Sequence, residues 1–485
     1  MSALGLVMFA CALALIIATG VPVYAVLLGV SCWFAGAGLL LGVFDWPLLG
    51  AIPARLVGLL EHDLLQALPL YAFIGALLNR LPLASQMHTV GERLFRRSAS
   101  APELAALGVG ALLAPMNGSV GASLHMLSRS VAPALAGQAT PAQAAATVCV
   151  ASTLGIAIPP SLVLLLLGDA MMRAHTEAQN ITHTMVRIVN TQDVMRAALV
   201  PGALVLLLAL VLTAWRARGR PIPPARAALP RATWCTVVVA TSTIVVLLTG
   251  VAVGRLYAVE AAATGCTLLL AYTLISQQLD RIRIRLVLRD TMTLTGVLLA
   301  LLIAATTFSL VVRAFGTDVL IADALKTLSD RPTLMLLVVL GGLVMCSFVL
   351  DAFEMIFLVI PLVMPPLLMT LTDPAWVAAL TLLVLQAGFV LPPFGYAVLM
   401  SRALMRPPPP MAALARALRP QLVAQALLIV AVLVWPQVTR WARPDIGADS
   451  KAAVTSEQAD RLLQQAIDAQ QRDRAANVKD DPARP

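Results

Sequence analysis

The residues of this chain able to do chemistry in an apolar setting fall into four short stretches. Asn117-Gly118-Ser119 joins two neutral oxygen ligands to a glycine that can turn sharply and present carbonyls, and Ser123 follows one turn on. Ser152, Thr153 and Gly155 run into Pro159-Pro160-Ser161. Asp351 and Glu354 stand three apart, a spacing that shares one helical face. Gln386 and Gly388 run into Pro392-Pro393-Phe394-Gly395. Proline lacks a backbone N–H and biases the residue before it away from helical geometry. Each Pro-Pro pair therefore predicts a broken helix, the first near Ile158 with Pro160 placed to start a second half-helix. Backbone freed at membrane depth must be buried in protein or line a cavity. There, half-helix C-termini favour a cation and half-helix N-termini a carboxylate. The cation-binding candidates are Asn117, Gly118, Ser119, Ser152, Thr153, Gly155, Asp351 and Gly388. The substrate-binding candidates are Ser123, Pro159, Pro160, Ser161, Glu354, Gln386, Pro392, Pro393 and Gly395, with Asp169 just past the first break. The plainer alternatives are a polar turn that satisfies its own backbone at 117–119, and carboxylates at 351 and 354 that cap a helix or meet water.

The surroundings of these stretches are those of a membrane protein. Of 485 residues, 59% are hydrophobic and 12% charged, and the mean hydropathy is +0.87. A soluble domain carries roughly 25% charged residues. Apolar runs long enough to cross a bilayer recur along the chain. The net charge of +9 comes from arginines bunched in short loops, without interleaved aromatic residues, so a lipid bilayer rather than nucleic acid is the expected partner. Six cysteines lack CxxC spacing, which removes a disulfide framework or zinc site from the expectations. No P-loop, HExxH or GxSxG occurs, and Ser119 and His125 lie six apart, a poor spacing for a catalytic pair on one helix. The first basic residue is Arg55, so the opening apolar run reads as a span and not as a signal peptide.

Spans are predicted at about 3–20, 22–44, 64–80, 142–172 (broken) and 196–215, then at about 234–252, 256–276, 290–312, 375–404 (broken) and 418–436. Between the third and fourth of each set lies an apolar stretch with a polar middle, about 102–136 and 333–372, read as a re-entrant hairpin. Aligning the Pro-Pro pairs sets an offset of 233 residues, which also superposes Pro133 on Pro366, Pro141 on Pro374, Gly155 on Gly388 and Arg80 on Arg313. The fold expected is an all-α polytopic membrane protein of two inverted repeats, residues 1–220 and 234–440, each with about five crossings, a hairpin and a broken helix. Segment 50–63 is expected as a short interfacial helix and 441–485 as a polar tail. Alternate loops hold 17 against 6 basic residues, which makes the richer set cytoplasmic and both termini periplasmic.

At these residues the chain resembles the large membrane subunit of tripartite ATP-independent periplasmic (TRAP) transporters, over about residues 1–440. The resemblance rests on Asn117-Gly118-Ser119-Val120, on Thr153 to Ser161, on Leu350-Asp351-Ala352-Phe353-Glu354, and on Leu391-Pro392-Pro393-Phe394-Gly395. Leu350 to Glu354, Gln386 and the second Pro-Pro motif look most like the branch linked to 2-oxo acids and lactate. The resemblance implies an elevator-type carrier in the bacterial inner membrane, driven by a sodium gradient and needing no cofactor. It also implies a small four-helix membrane subunit, a periplasmic substrate-binding protein and a small organic carboxylate as substrate. Leu391 stands where the family commonly has threonine, and the first tip carries Met116-Asn117 and Val120-Gly121 in place of a Ser/Gly cluster. The alternatives are a stand-alone sodium/carboxylate symporter of the same fold and, from other classes, a membrane scaffold or intramembrane enzyme.

Overall fold

The computed structural model describes residues 2–442 except 45, 61–62, 184–186, 223–228, 278–279, 329 and 372. The expected tail, 441–485, therefore lies almost wholly outside the described residues, as do Glu61 and His62 of the expected interfacial segment and Arg226 of the basic loop. The described residues form helices and turns without a strand. The first half comprises α1 (Ser2–Thr19), α2 (Val23–Leu40), α3 (Trp46–Leu60), α4 (Ala67–Leu78), α5 (Leu83–Leu94), α6 (Ala101–Leu113), α7 (Val120–Ser130), α8 (Ala132–Leu135), α9 (Pro141–Ala157), α10 (Leu162–Thr182) and α11 (Thr191–Arg216). The second half comprises α12 (Arg231–Val253), α13 (Ala258–Ile275), α14 (Arg281–Ala314), α15 (Thr317–Lys326), α16 (Pro332–Cys346), α17 (Ala352–Glu354), a π-helical turn (Met355–Val359), α18 (Ile360–Leu368), α19 (Pro374–Val390), α20 (Tyr396–Leu404), α21 (Met411–Val434) and α22 (Gln437–Arg440).

Both broken helices begin alike, because the same end signals recur. Thr140 caps α9, accepting from Gln143 N at 3.3 Å, and Pro141 occupies the first helical position. Asp373 caps α19, accepting from Trp376 N at 3.1 Å, and Pro374 follows. A side-chain oxygen satisfies one of the donors that a helix start leaves free, and proline has no N–H there to lose. Both helices end as an X-Pro bond requires. Ile158 and Leu391 are extended, at ψ 115° and 111°, and each is followed by a Pro-Pro peptide bond in the cis form. Helix α10 starts at Leu162 with Ser161 as its cap, so Pro160 precedes the half-helix it was expected to open.

The stretches expected as hairpins hold α6 followed by α7 and α8, and α16 followed by α17 and α18. Helices α9 and α19 start and end 233 residues apart, and α1 and α2 recur at similar spacing as α12 and α13. Packing is exchanged in the same way. Helix α2 lies on α14 as α13 lies on α4, α9 meets α20 as α19 meets α10, and α1 meets α15 as α12 meets α5. Helices α9 and α19 also pack on each other, and their almost fully buried side chains form the centre of the core.

Two elements differ from the expected spans. The third is a pair, α4 and α5, bent by 66° across Asn79 to Pro82, where Asn79 Nδ2 donates to the Gly75 carbonyl. Its counterpart α14 runs unbroken for 34 residues, beginning where α3 begins in the first half and spanning the register of both α3 and α4. Six helices among the described residues are long and apolar enough to cross a membrane, or eight with the bent pairs α4–α5 and α9–α10. The count falls below ten because α20 has only nine residues and α1 yields an apolar stretch of Leu4–Thr19.

Candidate functional site

The first hairpin turns at Pro115–Asn117, and Gly118 takes the left-handed conformation at φ +75°, which reverses the chain without a side-chain penalty. Ser119 then caps α7, its Oγ accepting from Ala122 N at 3.1 Å. Across from this tip Ser161 caps α10, accepting from Leu164 N at 3.2 Å. Gly118, Ser119, Ser152, Gly155 and Ser161 line one narrow cavity together with Ala114 and Pro115. Five of the predicted positions thus converge. Ser152 Oγ donates to the Cys149 carbonyl at 2.8 Å, and Thr153 Oγ1 to the Val150 carbonyl at 3.0 Å. Donation along their own helix leaves lone pairs on both oxygens.

Asn117 is 2% exposed, and its Nδ2 lies 3.4 Å from Ser123 Oγ, which donates in turn to the Ser119 carbonyl at 3.0 Å. Asn117 Oδ1 is buried and accepts no hydrogen bond. Leaving a buried acceptor unpaired costs about 1–3 kcal/mol, which a cation at the tip would offset.

The second hairpin repeats this plan with different groups. Asp351 opens α17, and Glu354 Oε2 accepts from the Asp351 backbone N at 2.9 Å. That is half of a capping box, so the helix-capping alternative holds for Glu354. Asp351 Oδ1, like Asn117 Oδ1, is buried without a hydrogen-bond partner. Each hairpin tip therefore carries one orphaned side-chain oxygen. Gly388 abuts Ser347 so closely that a methyl group would collide with its hydroxyl, and Gly155 meets Ala114 in the same manner. Ser347 brings a hydroxyl to the half in which Leu391 lacks one. Its position on an apolar helix was visible in the sequence, but its approach to Gly388 depends on packing between α16 and α19.

The remaining candidates lie elsewhere. Gln386 Oε1 accepts from Gln425 of α21 at 3.3 Å, which joins it to a neighbouring span. Asp169 pairs with Arg173 on its own helix at 3.1 Å. Pro159 and Pro160 are buried, whereas Pro393 and Phe394 are exposed and Pro392 half-buried. Gly395 is buried as the cap of α20. Phe348 and Phe394 place their rings 6.2 Å apart at this second break.

Among the described residues, a fold of bilayer-length apolar helices thus brings the turn at Pro115–Asn117 to the first helix break and Ser347 to Gly388, just before the second. The chain belongs to the family described as tripartite ATP-independent periplasmic transporter, DctM component, whose match spans residues 10–438. It is 27% identical over 154 residues to the sialic acid TRAP transporter large permease protein SiaM of Vibrio cholerae. That match covers 32% of this chain and 35% of the relative, about a third of its length. Among solved structures, the YdaH transporter of Alcanivorax borkumensis shares the fold with a TM-score of 0.55 at 17% identity, over 81% of this chain and 90% of that one. MtrF of Neisseria gonorrhoeae, described with a class of antimetabolite efflux pumps, aligns with a TM-score of 0.56 at 11% identity, over 80% and 83% of the two chains. The family is one of transporter components and not of enzymes.

Proposed function

We propose that this chain is the large membrane subunit of a binding-protein-dependent carrier that takes up a small organic carboxylate across the bacterial inner membrane, driven by a sodium gradient. The observation that supports this most is the pair of orphaned oxygens, Asn117 Oδ1 and Asp351 Oδ1, one at each hairpin tip beside a helix break. Neutral or anionic oxygens with converging half-helix ends suit a dehydrated alkali cation. In this reading the cation at the first tip is held by Asn117, Ser119 and backbone around Gly118, faced by Ser152 and Gly155. At the second it is held by Asp351, with Ser347 and Gly388 beside it. The two halves are inverted repeats moving as an elevator, with both termini periplasmic and the first hairpin entering from the cytoplasm. A small four-helix membrane subunit and a periplasmic binding protein complete the system, and the binding protein selects the substrate first.

Reconstitution of the chain with both partners in proteoliposomes tests the reading. Uptake of a labelled carboxylate should require an inward sodium gradient, and Asn117→Ala should raise the half-saturating sodium concentration about tenfold, as the loss of one ligand hydrogen-bond equivalent would. Uptake indifferent to sodium in both proteins would remove the coupling from the proposal. Uptake by the chain alone, without a binding protein, would instead establish the stand-alone symporter.

A further inference from the structure

One hydroxyl where α7 packs on α20 makes no hydrogen bond among the described residues. Tyr396 is the first residue of α20, directly after the second helix break, and its ring packs edge-on against Phe389 with centroids 6.2 Å apart. The phenol reaches across to the first hairpin. A Cβ at Gly121 would lie 2.8 Å from the Tyr396 oxygen, so a residue without a side chain is needed beneath it. From Gly121 the same face of α7 continues through His125 and Arg129, both exposed. Tyr396 therefore joins the second helix break to the first hairpin, against a face of α7 that carries basic residues suited to an anion. Phenol is both donor and acceptor, so it can read a substrate oxygen at that junction.

We infer that the Tyr396 hydroxyl, held over Gly121, binds an oxygen of the carboxylate substrate and sets its specificity. This rests on the reading of the site as a carboxylate carrier. The residue contacts substrate only, so its loss should weaken substrate binding and leave the cation sites intact. A site built to hydrogen-bond a substrate oxygen discriminates strongly against analogues that lack it.

The test uses the full chain with its two partners in proteoliposomes and a panel of labelled two- to six-carbon carboxylates, with and without an oxygen on the second carbon. For the best-carried member, Tyr396→Phe should raise the half-saturating substrate concentration about tenfold or more and leave the half-saturating sodium concentration within twofold. Gly121→Ala, which displaces the phenol by a methyl group, should do the same. The Phe variant retains the ring against Phe389, so an unchanged melting temperature confirms that the fold survives. An unaltered substrate dependence in both variants overturns the inference, as does a shift in sodium dependence alone, which would place Tyr396 at the cation. A wild-type system that carries no member of the panel overturns the carrier reading and this inference with it.

Discussion

A methyl group at residue 155 would lie 2.7 Å from both the carbonyl carbon and the oxygen of Ala114, a contact that only backbone movement could relieve. Gly155→Ala should therefore destabilise the chain by about 1–3 kcal/mol, the range for overpacking a close-packed interior, and lower its melting temperature in detergent. Gly108→Ala is the control, because nothing lies within 4 Å of a Cβ there; as a Gly→Ala change inside α6 it should hold or raise the melting temperature, not lower it. The equivalence of Gly155 with Gly388 was legible from their distances to the two Pro-Pro pairs, as was the grouping of Asn117 to Ser119 with Ser152 and Ser161. Side-chain direction was not. Gln386 lies on a helix buried around almost its whole circumference. Such a helix has no apolar stripe to show which way a polar residue points, and Gln386 turns to Gln425. Tyr396 escaped notice because an aromatic residue after a break is ordinary in sequence, and its meeting with Gly121 joins two segments far apart in the chain.

Among the elements, the broken helices were the most legible, since caps and prolines are local signals. The bend between α4 and α5 also has a local mark in Pro82, but the long apolar run before it obscured the interruption. Helix ends also carry contacts that no pattern predicts. Arg313, at the end of α14, pairs with Glu177 of α10 through two contacts of 2.6 and 3.0 Å and donates to the Pro361 carbonyl of α18 at 3.1 Å. One guanidinium thus ties three elements, α10 from the first half and α14 and α18 from the second. Its fork geometry suits a bidentate carboxylate, and a lysine could not reproduce it. Both groups are about a third exposed, so the pair is worth about 1 kcal/mol after solvent screening. A double-mutant cycle of Glu177→Gln with Arg313→Gln, read by thermal denaturation, should return a coupling energy of that order. A coupling near zero would mean that the pair contributes nothing to holding α10, α14 and α18 together.

At the scale of the whole molecule, the recurrence of elements about 233 residues apart was legible because it is written in spacing, while the lengths of the counterparts were not, since α14 covers in one helix the register of α3 and α4. At 1.5 Å per residue α14 is roughly 51 Å long, well beyond a hydrocarbon core of about 30 Å. Its surplus is the segment from Arg281 to Arg289, which belongs to the basic loops expected at the cytoplasmic face. Replacing the native cysteines and introducing Arg283→Cys or Arg416→Cys should give sites labelled by an impermeant maleimide only from the cytoplasm. Lys326→Cys should be labelled only from the periplasm, and labelling of all three from one side would break the expected alternation of loops in the second half. All three positions are exposed. The two breaks also differ in their surroundings: Pro159 and Pro160 are enclosed, whereas Pro393 is open and Phe394 is 58% exposed. The enclosed break tolerates little mutational drift, because every change there disturbs its neighbours. The open break can vary its side chains at small cost to the fold, so sequence change should collect there before it reaches the enclosed one.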